Sequence, residues 1–407
     1  MTFDKLKTVT EFRVTACLPE DGIWLGRVWQ PAASAHRQIA GPHVVCVAHG
    51  EVFDVSQTFL TVSEVVAADN PVAALRSSPR RSLGSVDRLL ADSLFFNFGG
   101  RIADSPSPVL LSPCDLAAVK ACGVTFVRSL LERVIEERTR GDRHQAELLR
   151  GLILETLGGS LKDVNPGSER AMALKARLQA EGIWSQYLEV GIGPDAEVFT
   201  KCQPTASVGF GAQVGVLADS AWNNPEPEVV LAVSPQGKIH GATLGNDVNL
   251  RDYEGRSALL LGEAKDQNGS CAIGPFIRLF DGDFTLADVE SAEVSLRISG
   301  ADGFELLDAS RMSEISRSAA SLVAQVRSAN HQYPDGFMLF LGTMFAPTED
   351  RGAAGQGFTH HVGDRVEIAS SKLGRLVNWV NHCDQLPPWD FGLRSYLEFA
   401  LERQRAK

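Results

Sequence analysis

Glu226-Pro227-Glu228 and Asp247 are the side chains of this sequence best suited to chemistry. On an extended segment residues i and i+2 point to one face, so Glu226 and Glu228 present two carboxylates side by side. Asp247, in Gly245-Asn246-Asp247, follows a second strand-like run and brings a third acid from a neighbouring strand. Three carboxylates form an all-oxygen claw for a hard cation. Mg²⁺ suits such a claw, because it takes few protein carboxylates and keeps positions open for water and substrate. Glu197 and Lys265 join the set of candidates. Taken singly, each acid reads as solvated surface. Their context argues otherwise, since Glu226 and Glu228 run straight into Val229-Val230-Leu231-Ala232-Val233. Acids entering a buried sheet must be paired, protonated or bound to metal. Lys265, in Gly262-Glu263-Ala264-Lys265-Asp266, reads alone as a surface salt bridge, but beside a metal an ammonium stabilises a developing enolate oxygen.

These residues need elements to hold them. Val44 to Ala48 and Glu51 to Val55 read as strands, and so do Val229–Val233, Val294–Ile298, Phe337–Leu341 and Arg365–Ala369. Gly, Pro and Asn punctuate them. Residues 114–182 read as largely helical, with Asp115 as a cap, an apolar stripe at Phe126, Leu130, Leu131 and Val134, and a further helix from Ser168 to Ala180. Leu306 to Ser328 contains another helix. Asn223-Asn224-Pro225 reads as a turn that aims the acidic pair. Ser77 to Ser82 and Asp104 to Pro108 are the linker-like stretches. Many short strands with helices set apart predict an α+β, β-rich protein rather than an alternating βαβ sheet. Residues 1–105 are expected to form a small mixed domain and 106–407 the catalytic one, with the helical segment between as lid or connector.

A chain of 407 residues, 44% hydrophobic, has the means for a sizeable core. Its net charge of −11 is spread along the sequence, with no basic stripe for nucleic acid. The seven cysteines form no C-x-x-C pair, which argues against a disulfide framework or zinc knuckle. Met1-Thr2-Phe3-Asp4-Lys5 lacks a signal pattern, and no run reaches the ~18 apolar residues of a membrane span, so a cytoplasmic protein is expected. His360-His361 and His382-Cys383 match no zinc spacing. Gly209 to Gly215 is glycine-rich without the G-x-G-x-x-G order, and there is no G-x-S-x-G elbow. Trp184, Trp222, Trp379 and Trp389 read as core or interface.

Glu226-x-Glu228, Gly245-Asn246-Asp247-Val248-Asn249-Leu250-Arg251-Asp252, Lys265 and Gly274-Pro275 together resemble the fumarylacetoacetate hydrolase superfamily. The resemblance runs from about residue 110 to 392 through Gly193 to Lys201, His331 to Gly336 and Gly357 to His360. It is nearer to the longer members that dehydrate 2-keto-3-deoxy-D-pentonates (xylonate or arabinonate). It implies a mixed-sheet β-rich roll, and a homodimer or larger homo-oligomer. Glu226, Glu228 and Asp247 would hold Mg²⁺, for which Mn²⁺ or Ca²⁺ could substitute. Glu197 matches a further family acid that either completes the metal shell or holds a catalytic water. Lys265 and Thr343 would face the substrate, and Lys201 would face the same pocket.

On that resemblance the substrate is a small sugar acid chelated through its carboxylate and 2-keto oxygen. Glu197 would remove a C3 proton, directly or through water, Lys265 would share the enolate charge, and Glu197 would protonate the departing 4-hydroxyl. The product would be 2,5-dioxopentanoate. The small hydrolases of the superfamily use a His-x-x-Glu pair on a lid helix. The match here, His144-Gln145-Ala146-Glu147, lies far ahead of Glu226 among charged neighbours and reads as solvated, as do Glu132 and Glu136. No histidine occurs from Ser168 to Glu197. That favours elimination over hydrolysis of acylpyruvate or diketo-acid carbon–carbon bonds, and the paired Glu197 and Lys265 favour either over a sugar-acid binding protein without turnover.

Overall fold

Val229-Val230-Leu231-Ala232-Val233 is an unbroken apolar run, and a strand of that composition needs protein on both faces. The computed structural model describes residues 17–32, 39–99, 101–126, 130, 134, 151, 164–182, 184–347, 349–351 and 357–406. In it the run lies within the strand Pro227–Val233, buried throughout. Its side chains alternate. Val229, Leu231 and Val233 enter one apolar cluster, and Val230 and Ala232 enter another on the opposite face. A turn closed by the Ser234 amide on the Lys238 carbonyl leads to the antiparallel strand Ile239–Asp247.

This hairpin is central to an eleven-stranded mixed sheet. From one edge the order is Arg81–Ser85, Glu51–Asp54, Gly41–Ala48, Trp24–Gln30, Cys271–Leu279, Ile239–Asp247, Pro227–Val233, Phe337–Phe340, Ala118–Gly123 and Glu197–Cys202. Val109–Leu111 pairs off this path with Trp24–Gln30. A five-stranded sheet of Glu305–Arg311, Glu293–Ser299, Arg365–Ser370, Gly374–His382 and Gln213–Val216 covers one face, with Leu296, Ile298, Ile368 and Leu376 in the same cluster as Val229 and Leu231. The protein is α+β and rich in mixed sheet, as its sequence predicts. The strands before residue 105 join the same large sheet, because Trp24–Gln30 pairs with Cys271–Leu279.

Several local expectations change. Within 114–182, Ala118–Gly123 is a strand, held by Phe337–Phe340 on one side and Glu197–Cys202 on the other. Its alternating Val119 and Ala121 fill the cluster shared with Val230. Asp115 does cap a helix, but a distant one: its carboxylate accepts from the Val62 and Ser63 amides at the start of Val62–Ala67. Asn223–Asn224 is a two-residue strand against Asn249–Leu250, not a turn. Arg81–Ser85, where a linker is expected to end, is an edge strand. The helix expected from Ser168 to Ala180 runs Glu169–Ala180, capped by Ser168, whose Oγ accepts from the Ala171 amide. Among the described residues no helix is long and apolar enough to cross a membrane.

Candidate metal centre

The register of the central hairpin decides where its acids go. Glu228 lies opposite Gly245, and the Asp247 amide donates to the Glu226 carbonyl at 3.0 Å, so Glu226 lies opposite Asp247. Residues two apart on one strand share a face, and so do residues directly opposite on the next. All three carboxylates therefore project to one side, and Phe340 and Val230 fill the space that a side chain on Gly245 would need. One oxygen from each of Glu226, Glu228 and Asp247 lies within 4.8 Å of the others, and all three residues are buried. Opposed ligands of Mg²⁺ at ~2.1 Å would stand ~4.2 Å apart, so small rotations close the set on an ion. Buried Asp247 Oδ1 makes no hydrogen bond, although Lys201 Nζ stands 2.8 Å away. An anionic oxygen that meets an ammonium without a directed hydrogen bond keeps a lone pair for a cation. Oxygen-only donors fit a hard divalent ion.

Two ammonium groups pair with Glu226 and Asp247. Lys265, at the end of the short helix Leu261–Lys265, donates to Glu226 Oε2 at 2.5 Å and to Asp247 Oδ2 at 3.2 Å. Burial alone would strip its proton, but Asp247 and Glu226 outweigh burial and hold its pKa above the ordinary lysine value. Lys265 is a fixed cation touching two of the three acids. Lys201, fully buried on Glu197–Cys202, bonds to the Val248 carbonyl at 3.0 Å and to the Lys265 carbonyl, besides its approach to Asp247. The sequence reading turns Lys201 toward substrate. The structure instead surrounds it with protein oxygens, as a buried ammonium requires.

Glu228 feels burial first, then Asp247 and Glu226, and its pKa is driven well above the ordinary carboxylate range. The Gly342 amide donates to its Oε2 at 2.8 Å, and Thr343 Oγ1 stands 3.4 Å from its Oε1. Thr343 thus lies beside Glu228. Gly342 has φ +105°, and a Cβ there would run into Thr125 Oγ1. Only glycine delivers that amide without strain.

Glu197 opens its strand opposite Gly123, and a Cβ on Gly123 would overlap its carboxylate. The Cys122 thiol is pushed up by burial, then by Glu228 and Glu197. Sequence reasoning missed Asn249. Its Nδ2 donates to Glu226 Oε1 at 3.0 Å and to Glu254 Oε2 at 2.6 Å. It also missed Asn246, whose Oδ1 accepts from the Glu226 amide at 3.1 Å. Both stand in the Gly245–Asp252 motif, where an amide side chain within two residues of a buried acid was the available signal. His144-Gln145-Ala146-Glu147, Glu132 and Glu136 lie outside the described residues.

Residues 172–381 match the family described as Fumarylacetoacetate (FAA) hydrolase C-terminal, a span that holds every residue of the centre. The chain is 32% identical over 181 residues to 2-dehydro-3-deoxy-D-arabinonate dehydratase of Saccharolobus solfataricus, covering 44% of this chain and 57% of that one. It is 33% identical over 209 residues to a protein of Haloferax volcanii named probable 2-keto-3-deoxyxylonate dehydratase, covering 51% and 67%. The chain thus spans little more than half the length of the first of these relatives. Its fold is similar to 2-keto-3-deoxy-D-arabinonate dehydratase complexed with magnesium and 2,5-dioxopentanoate, at TM-score 0.58 and 19% identity, over 88% of this chain and 99% of that one. The apo form of that enzyme gives TM-score 0.59 at 18% identity, with the same coverage.

Proposed function

The chain belongs to the fumarylacetoacetate hydrolase C-terminal family, and from that premise we propose that it is a divalent-cation-dependent lyase that removes water from a 2-keto-3-deoxypentonate to give 2,5-dioxopentanoate. The observation that carries this reading is the convergence of three buried carboxylates around one point, with a protonated lysine touching two of them. The named relatives support the substrate class. Magnesium is the ion in the complex of the structural neighbour, which supports Mg²⁺ here. Mn²⁺ or Ca²⁺ would substitute through the same oxygens.

Glu226, Glu228 and Asp247 would hold the cation, which polarises a bound α-keto acid and acidifies its C3 protons. Lys265 places positive charge where an enolate oxygen develops, and costs no reorganisation because Glu226 and Asp247 already orient it. Glu197 takes the C3 proton and returns it to the leaving 4-hydroxyl, which departs as water. The C3–C4 double bond left behind then tautomerises: a C5 proton and the 5-hydroxyl proton end on C3 and C4, so that C5 becomes the aldehyde of 2,5-dioxopentanoate. Lys201 holds Asp247 and the Lys265 turn in place. Thr343 orients the substrate beside Glu228. A 3-deoxy acid suits this scheme because its C3 is a CH₂ next to the ketone. We place the protein in the cytoplasm, in pentose catabolism, as a homodimer or larger homo-oligomer. Light scattering on the purified chain tests the assembly.

The deciding experiment is turnover of synthetic D- and L-2-keto-3-deoxypentonate with Mg²⁺ and with EDTA. One five-carbon product that needs the cation is expected. Two fragments from a diketo acid would mark a hydrolase, and Mg²⁺-dependent binding with no product would mark a binding protein.

A further inference from the structure

A second feature is a cavity of about 500 Å³ that none of Glu226, Glu228, Asp247 and Lys265 lines. Its wall comes from the strand Trp24–Gln30, the 205–213 segment, the loop at 268–269 and the chain from 386 to 391. Most of the wall is apolar, with Trp29, Leu110, Leu111 and Phe391 prominent. Trp29 and Phe391 meet edge to face at 5.3 Å, which fixes one side. Arg27 breaks the pattern. It is 5% exposed and lines the cavity. Its Nε donates to the Ser112 carbonyl at 3.0 Å, and among the described residues it forms no ion pair with any carboxylate. Asp115, the acid that shares with Arg27 the surroundings of Cys114 and Tyr396, is already engaged by the amides of Val62, Ser63 and Leu116. Asp390 lines the cavity but is exposed, at its mouth.

A buried guanidinium without a counter-ion is unfavourable unless something supplies the charge. Two further donors without partners line the same space: Trp29 Nε1 and the hydroxyl of Thr205, a residue held at φ +67°. A volume of this size, an apolar wall and a few donors of one kind describe a small-molecule site. The donor surplus selects an anion, and the planar guanidinium selects a carboxylate or phosphate.

We propose that this cavity binds a small organic carboxylate, its anionic end on Arg27 and its apolar body against Trp29, Leu111 and Phe391, at a site separate from the cation centre. The site does not depend on the lyase reading, and its test does not use turnover.

Calorimetric titration of the full chain in EDTA, where no cation can hold a carboxylate, measures binding of benzoate, of its neutral counterpart benzamide, and of inorganic phosphate. Benzoate binds. Benzamide, which lacks the charge, and phosphate, which lacks the apolar body, each bind ~10-fold or more weakly. Arg27→Met keeps an unbranched stem and removes the guanidinium with its charge. It weakens benzoate by ~10-fold or more and leaves the Mg²⁺-dependent thermal shift unchanged. Ala103→Trp, on the exposed lip of the cavity, also weakens benzoate, and decides the matter if Arg27→Met does not fold. Absent benzoate binding, equal binding of benzamide, tighter binding of phosphate, or normal benzoate affinity in either variant overturns the proposal.

Discussion

Lys265 bridges Glu226 and Asp247, which are already joined by a 3.0 Å backbone hydrogen bond between their strands. Main chain and side chains thus fix the same pair twice. The ammonium occupies ground that a divalent ion would contest, and under the proposed function it would also meet the developing enolate oxygen. Replacing it separates these two effects.

Lys265→Met lowers kcat by ~10²-fold or more, because a preorganised charge at the developing enolate is lost. Its Mg²⁺ affinity does not fall, since a competitor for the carboxylates has gone. Calorimetry with Mg²⁺ beside steady-state kinetics makes the comparison. Parallel loss of both would reduce Lys265 to a structural counter-ion.

Glu197→Gln leaves Mg²⁺ affinity nearly intact and cuts kcat by ~10²-fold or more, as removal of a general base does. A variant with normal turnover takes Glu197 out of the mechanism.

Glu228 carries a pH signature. Burial and two neighbouring acids raise its folded pKa above the unfolded value. The folded state therefore holds that proton more tightly. The stabilisation is full below the unfolded pKa of ~4.3 and is lost as pH rises through the folded value. Metal-free protein should melt at lower temperature as pH goes from 5 to 8, and the upward shift on adding Mg²⁺ should be larger at pH 8. Asp54 and Asp364, held below the ordinary range despite burial by His43 and Ser56 and by His360 and Arg351, stay ionised across that window. Glu228→Gln should flatten the EDTA profile and abolish the Mg²⁺ shift. Differential scanning fluorimetry of both proteins reads this out.

Asn249→Ala removes the amide that orients Glu226. Loss of such a support typically weakens metal binding by ~10- to 100-fold. The expected result is that loss in calorimetry, with an unchanged circular dichroism spectrum. Unaltered affinity would mean that Glu226 is oriented without Asn249.

Gly342→Ala forces a side chain onto a backbone at φ +105° and against Thr125. It should cost ~1–3 kcal/mol or more of stability, measurable in urea unfolding, and displace the amide from Glu228. A neutral substitution would show that the loop can shift without loss.

Much of the centre was legible because it is local. Glu226 and Glu228 are two residues apart and run into a buried strand, and Asp247 closes the partner strand, so period-two reasoning brings all three together. The helix after Ser168 was legible for the same reason, since its cap and apolar spacing lie within a dozen residues. Ala118–Gly123 was not, because its partners Phe337–Phe340 and Glu197–Cys202 are remote in sequence and six residues of strand can sit inside a longer helical pattern. The surroundings of Lys201 are not legible in the sequence, because they come from Asp247, Val248 and Lys265, which only the folded sheet assembles. Gly342 carries no sequence signal for its task. Its amide matters only because the chain after Phe340 passes beside Glu228.

The hairpin that carries the three acids lies among the inner strands of its sheet, flanked by Cys271–Leu279 and Phe337–Phe340. Thermal fraying starts at edges, so these ligands should let go together or not at all. An occupied ion would then act as a rivet on the least exchangeable part of the molecule. Amide hydrogens of Val229 to Leu231 should report its arrival by exchanging more slowly, long before the outer strand Arg81–Ser85 notices any difference.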